Sequence, residues 1–242
     1  MYLSPILPKK LVPHYTFLIG ENAQRAARHY ANAHGYHQAA SPGGMISYQL
    51  PERLLGLLRP FLHQNDRVLD LGCGSGHAGL ALHACGQAIA LTGVDCSEPM
   101  LSLAQEARYG TLCLGDIPSS VRGLKEAGRA YEWAVAIGSP YYLDPEELAQ
   151  TIDHLLRMCR RGICLSLESF SPEFIQAVRD RLGDDGPKIY DHSSFFDAYH
   201  LPPEWKLQVE AAASPAWISP STGMQIHAKL ALLHRIRFPR SI

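Results

Sequence analysis

The stretch VLDLGCGSGHAGLAL, residues 68–82, passes from an apolar, β-rich run into closely spaced glycines and then into a helical pattern. Strand, glycine turn and helix in that order open a βαβ unit. They put the turn at the carboxyl edge of a parallel sheet, where open α/β folds receive ligands. Side chains at such a turn would hold a ligand away from the backbone, so glycine is the residue it needs. Two patterns overlap here: GxGxG at Gly72, Gly74 and Gly76, and GxGxxG at Gly74, Gly76 and Gly79. They suit different nucleotides, and the glycines alone do not choose.

Outward from this turn, apolar runs alternate with helical patterns as far as about residue 183, the signature of a parallel sheet. Strands are predicted over 67–71, 88–94, 111–114, 131–137 and 163–167. A helix from about Gly76 stops at Gly86, and Ser97 caps another with Pro99 in its first turn. Asp144, Pro145 and Glu147 form a capping box, opening a helix that runs to Gly162. Ser171, Pro172 and Glu173 open the next one. Beyond it, 205–211 and 224–236 alternate with period two and suit an antiparallel hairpin at one side of the sheet. Ahead of the sheet, residues 21–62 read as two amphipathic helices ending near Gly35 and Pro60, joined by the flexible AASPGGM. This segment belongs to no βαβ unit. The expected division is a helical cap over residues 1–50 and an α/β domain over 51–242.

With 242 residues, the chain suits one domain with modest additions. Its 22 basic and 23 acidic side chains nearly cancel, which disfavours nucleic acid as partner. Arg157, Arg160 and Arg161 cluster where a helix is expected to end, and there they would offset its carbonyl dipole. No apolar run approaches the roughly 20 residues that span a bilayer, so no membrane partner is expected. The opening MYLSPILPKK carries its lysines after the apolar residues, the reverse of a signal peptide, and a cytoplasmic location is expected. Six cysteines without a CxxC pair suggest reduced thiols packed as small apolar groups.

The acids choose between the two nucleotides. Asp70 stands two residues before the first glycine. A carboxylate there repels a pyrophosphate at short range but attracts a cation, and S-adenosylmethionine carries an ammonium and a sulfonium. Asp95 ends the second strand, where a carboxylate accepts from ribose hydroxyls in dinucleotide and S-adenosylmethionine sites alike. Asp116 follows the third strand, placed to accept from an adenine amino group, with Ile117 packing on the ring. Singly, each acid reads as an ordinary turn former; together, behind DxGxGxG, they favour S-adenosylmethionine.

On these residues the chain resembles the class I S-adenosylmethionine-dependent methyltransferases over roughly residues 50–236. VLDLGCGSG matches the family's first motif, GVDCSEPML its second, LGDI its third, and YEWAVAIGSPYYL the strand-four region. The second motif looks most like that of enzymes acting on small molecules. The resemblance implies a Rossmann-like three-layer α/β/α sandwich with a seven-stranded, mostly parallel sheet in the order 3-2-1-4-5-7-6, strand seven antiparallel. It also implies a cofactor site made by Asp70, Gly72, Cys73, Gly74 and Gly76, then Asp95, Cys96 and Met100, then Asp116 and Ile117, and finally Ile137, Gly138, Ser139 and Tyr142. Two departures matter. Where many relatives begin strand four with Asp, only Glu132 is available, and Gly138-Ser139-Pro140-Tyr141-Tyr142 lacks the leading amide and second proline of exocyclic-amine methylases.

Methyl transfer from a sulfonium needs positioning more than acid–base help, so no universal catalytic residue is legible. His29, His192 and Tyr141 are the catalytic candidates. His29 lies in the cap with Tyr30 and Tyr36. His192 lies in the aromatic YDHSSFFDAYH (190–200), a segment read either as a fold over the substrate pocket or as ordinary core. A metal reading of His29, His34 and His37 lacks a completing carboxylate, so no metal is expected. The expected activity is methyl transfer to O, N or C of a small organic acceptor. The alternative is a protein of this fold that binds S-adenosylmethionine without methylating. Methylation of RNA or protein is disfavoured by the near-zero charge, and the sequence does not address oligomeric state.

Overall fold

The computed structural model describes residues 13–107, 109–210 and 215–236. In chain order it begins with β1 (Tyr15–Thr16), α1 (Glu21–His29), α2 (Ala33–Ala40) and α3 (Leu50–Leu58). The βαβ region follows as β2 (Arg67–Leu71), α4 (His77–His83), β3 (Ala90–Asp95), α5 (Glu98–Ala104), β4 (Thr111–Leu114) and α6 (Ile117–Glu126). It continues through β5 (Tyr131–Ala136), α7 (Pro145–Met158), β6 (Cys159–Ser169) and α8 (Pro172–Leu182). The short α9 (Phe195–Ala198), then β7 (Trp205–Glu210), β8 (Trp217–Ile218) and β9 (Gln225–Arg235), complete it.

The sheet runs β1-β4-β3-β2-β5-β6-β9-β7, with β8 paired to β9. The first six strands pair in parallel, and β9 lies antiparallel to both β6 and β7. Among the described residues there are nine strands where the sequence predicts seven. The additional two, β1 and β8, are two residues long and too short to carry a period-two pattern. Successive residues of a strand face opposite sides, and the packing shows it: Leu69 packs with Leu124, Leu148 and Ile152, whereas Val68 packs with Leu54, Leu58 and Leu82. Helices α6 and α7 therefore cover one face and α3 and α4 the other, giving a Rossmann-like α/β/α sandwich. Because both faces are covered, Val68, Leu69, Asp70 and Leu71 of β2 are all buried.

Several boundaries depart from the sequence reading. Residues 21–62 hold three helices rather than two. The helix expected to stop at Gly35 breaks after His29, and Gly35 sits inside the first turn of α2, its amide donating to the Asn32 side chain that caps the helix. Helix α7 ends at Met158 rather than Gly162, because Cys159 is already extended and paired with Tyr131 of β5. Arg160 and Arg161 consequently lie on β6, 3.6 Å from Glu132 and 3.6 Å from Asp66 respectively, and do not offset a helix dipole. The segment 190–200 proves to be core packing: Phe195, Phe196 and Tyr199 lie against the main cluster, and the Tyr199 hydroxyl donates to Asp153 of α7. Among the described residues no helix is long and apolar enough to cross a membrane.

Candidate functional site

Strands β2, β3, β4 and β5 end on one edge of the sheet, and a cavity of about 320 Å³ opens there beneath the N-terminal helices. The turn after β2 is forced into the left-handed region at Gly72 (φ 69°), Gly74 (φ 53°) and Gly76 (φ 94°), and the three glycines serve different ends. A Cβ on Gly72 would stand 2.3 Å from the Ser139 Cβ, because Ser139 crosses over this turn and donates to the Leu71 carbonyl. A Cβ on Gly74 would meet no protein atom within 4 Å; that side of the residue is open to the cavity. Gly76 is not on the cavity wall. Its missing side chain makes room for the Ala107 Cβ, which would stand 2.5 Å from a Cβ placed there.

Three carboxylates at strand ends stand on the wall. Asp95 ends β3, its two oxygens accepting from the Gly74 and Ser97 amides, each at 2.8 Å. Burial pushes its pKa up to about 6, against the pull of these amides. Asp70, at 1% exposure, accepts from the Tyr109 hydroxyl; burial raises its pKa to about 7, with the hydrogen bond opposing and Asp95 reinforcing the rise. Asp116 caps α6 by accepting from the Ser119 amide at 2.7 Å, while its other oxygen accepts from the Gly20 amide at 2.7 Å. It is thus both the turn former that single-residue reasoning expects and a wall residue. Cys73, Cys96, Met100 and Ile117 line the same side, and Ile137, Gly138, Ser139 and Tyr142 line the end of β5. Behind Gly138 lies a polar relay that the sequence did not flag. Its amide donates to Ser166 at 2.8 Å, and Ser166 donates to the fully buried Glu168, whose pKa burial raises to about 7.

The catalytic candidates fall elsewhere. His192 is 1% exposed, off the wall, and donates from Nε2 to the Leu143 carbonyl at 3.0 Å. His29 is exposed beside Tyr30 and also off the wall. Tyr141 lies just behind the wall, its hydroxyl 3.3 Å from those of Tyr30 and Tyr142. Glu132 sits at the far end of β5, bonded to Arg67, and does not reach the cavity.

The N-terminal segment supplies the wall residues that sequence reasoning missed. Tyr30, Tyr36 and Tyr48 all face the cavity, and His77 at the start of α4 stacks on His37 of α2 with ring centroids 4.8 Å apart. Burial, with His37 adding to it, lowers the pKa of His77 to about 4, so its ring is neutral near pH 7. The abundance of aromatics in this segment was the available signal. Which of them turn inward is set by how α1 and α2 dock on the sheet edge, and local periodicity does not carry that.

A methyltransferase domain family model matches residues 68–162, from β2 to the start of β6. The chain is 24% identical over 209 residues to a 27-O-demethylrifamycin SV methyltransferase of Amycolatopsis mediterranei, covering 77% of this chain and 71% of the relative. Its fold matches the crystal structure of magnesium protoporphyrin IX methyltransferase from Synechocystis PCC 6803 with bound S-adenosylhomocysteine. There the TM-score is 0.61 at 15% identity, over 89% of this chain and 100% of that one. It also matches the plantazolicin methyltransferase BamL in complex with a triazolic desmethylPZN analog and S-adenosylhomocysteine, with a TM-score of 0.60 at 11% identity over 88% and 95% of the two chains. A small RNA methyltransferase is among the matching structures too, so the fold alone does not select the acceptor.

Proposed function

From a chain with the class I S-adenosylmethionine-dependent methyltransferase fold, we propose an enzyme that methylates an O, N or C atom of a small organic molecule. The observation that carries this reading is the meeting of Asp70, Asp95 and Asp116 on one cavity wall around the side-chain-free face of Gly74. Three carboxylates at that turn suit a cationic nucleoside and oppose a pyrophosphate. Bound S-adenosylmethionine would supply a methyl group: its bond to the cationic sulfur breaks as a bond to the acceptor forms, leaving neutral S-adenosylhomocysteine, and a proton carried by the acceptor atom passes to solvent water.

The chain's own residues hold the reactants. The open face of Gly74 and the Asp70 carboxylate take the amino-acid end, Asp95 accepts from the ribose hydroxyls, and Asp116 with Ile117 takes the adenine. Ile137, Gly138, Ser139 and Tyr142 bound the other side. Of the expected cap over residues 1–50, positions 1–12 lie outside the described residues; the remainder acts as a cap on the α/β domain, supported by Tyr30, Tyr36 and Tyr48 on the wall. Enclosure and alignment of acceptor and methyl then carry most of the rate. Neither His29 nor His192 is retained as a base, since neither reaches the wall; Tyr141 acts through its contacts to Tyr30 and Tyr142. A small acceptor rather than nucleic acid is supported by the near-zero net charge of −1. A reducing, cytoplasmic setting agrees with six unpaired cysteines.

Calorimetry with S-adenosylmethionine, S-adenosylhomocysteine and NAD tests the cofactor, and transfer of a labelled methyl group to extracted metabolites tests the reaction. Tight NAD binding with no response to the sulfonium compound overturns the reading. Binding without any methyl leaving the cofactor would favour a non-methylating protein of this fold.

A further inference from the structure

The part of the cavity not taken up by the strand-end carboxylates and the glycine turn is walled by hydroxyls. Tyr30 reaches in from the end of α1, its hydroxyl 2.9 Å from that of Tyr142 and 3.3 Å from that of Tyr141. Tyr36 of α2 packs edge-on against Tyr30, with centroids 5.0 Å apart, and its hydroxyl has no hydrogen-bond partner among the described residues. Tyr48 donates to the Ile137 carbonyl at 3.3 Å and stands over Gly138, where a Cβ would meet its hydroxyl at 2.5 Å. These groups come from the cap and from the turn after β5, so they surround whatever lies in front of the cofactor.

Charge on the same wall is one-sided. Asp70, Asp95, Asp116, Glu21 and Glu147 line it, and among the described residues the only Lys or Arg on it is Arg122 on α6, the helix that Asp116 caps. Glu21 is offset by Arg25 at 2.5 Å, but Arg25 is not on this wall. His77 adds no positive charge near neutral pH, for the reason given above. An anionic group placed among the tyrosines would lose its hydration, find Arg122 as the one Lys or Arg side chain among the described residues of the wall, and face the field of five carboxylates. A neutral hydroxyl on a ring would lose little: the aromatic edges pack against the ring, and phenolic hydroxyls both donate and accept.

We propose that the acceptor taken by this cavity is an uncharged, ring-borne hydroxyl compound, held by the hydroxyls of Tyr36 and of the Tyr30–Tyr142 pair, and that carboxylate and phosphate acceptors are rejected. This rests on the reading of the cavity as an S-adenosylmethionine site and narrows its acceptor class. Tyr36 is the specificity residue, because its hydroxyl is the one left free to meet a ligand.

The test compares 2-naphthol and 2-naphthoate, which share a ring and differ in charge, by ligand-observed NMR titration of the full chain saturated with S-adenosylhomocysteine at neutral pH. The expected result is that naphthol binds at least about tenfold more tightly, a difference of about 1.4 kcal/mol. Tyr36→Phe should weaken naphthol binding severalfold more than it weakens S-adenosylhomocysteine binding. Naphthoate binding as tightly as naphthol, no naphthol binding up to about 1 mM, or an unchanged preference in Tyr36→Phe overturns the proposal while leaving the cofactor reading intact. Failure of S-adenosylhomocysteine itself to bind removes both.

Discussion

Asp95 Oδ2 lies 2.8 Å from the Gly74 amide nitrogen, so the carboxylate that ends β3 holds the glycine turn that follows β2. One side chain thereby shapes the glycine turn and stands on the cavity wall. Its other oxygen fixes the Ser97 amide at the entry to α5. The strand order β3-β2-β5 makes this possible by setting the two strand ends side by side.

Asp95→Ala should therefore weaken S-adenosylhomocysteine binding by about 1–3 kcal/mol, since it removes a charged acceptor and releases two amides. Calorimetry on a variant whose circular dichroism matches the parent provides the check. An affinity equal to the parent's counts against the placement.

Gly72 and Gly74 should respond differently to alanine. Both have positive φ, which costs a residue with a Cβ roughly 1–2 kcal/mol. At Gly72 the new Cβ also collides with Ser139, so the melting temperature should fall clearly further than for Gly74→Ala. At Gly74 the Cβ enters open cavity, so folding is largely retained and ligand affinity is lost. Thermal melts run with and without S-adenosylhomocysteine separate the two outcomes.

Cofactor affinity should depend on pH with a fixed sign. Burial raises the pKa of Asp70 to about 7 and of Asp95 to about 6, from an ordinary value of 3.8. Raised carboxyls retain protons that the unfolded chain releases. Their burial therefore costs the ligand-free protein stability progressively as pH rises from 3.8 through about 7. A cation binds the ionised pair, so S-adenosylmethionine affinity should weaken as pH falls from about 7 to about 6 and below. The thermal shift it produces should shrink over that range; a shift that grows on acidification would contradict the assignment of these acids.

Two variants should leave ligand affinity alone. Glu132→Ala removes hydrogen bonds to Arg67 and the ion pair with Arg160 at the amino end of β5, for an expected stability loss of up to about 1 kcal/mol. His192→Ala leaves the buried Leu143 carbonyl unpaired and opens space beside Phe195, which should cost about 1–3 kcal/mol. Denaturant titration reads the stability loss. Unchanged calorimetric affinity for S-adenosylhomocysteine, measured on the folded variants, distinguishes these structural roles from a place in the site.

The parallel part of the fold was legible because its signals are local. The β-rich runs, the capping box at Asp144 and the proline and serine caps of α5 and α8 each act within a few residues, and the helices begin where they were read. The elements that were misread depend on distant partners. Residues 159–162 look like the end of a helix until β5 claims Cys159, and β1 exists only because β4 offers Cys113 and Leu114 an edge to pair with. The strand-end acids of the cavity were equally legible, since each lies at or next to the end of a β-rich run. The tyrosines of the cavity were not, because Tyr30, Tyr36 and Tyr48 come from a segment whose docking is invisible in its own periodicity.

By itself the sequence determined a turn that must admit a ligand against bare backbone and three acids spaced to fall at successive strand ends. Strand alternation and backbone sterics act between near neighbours, so these features follow from chain order alone. Only the tertiary structure decided that Gly76 packs while Gly74 faces the cavity, that His29 and His192 stand apart from it, and that tyrosine hydroxyls close it. Those outcomes depend on which surfaces meet when α1 and α2 settle on the sheet edge, a matter of packing between segments far apart in the chain.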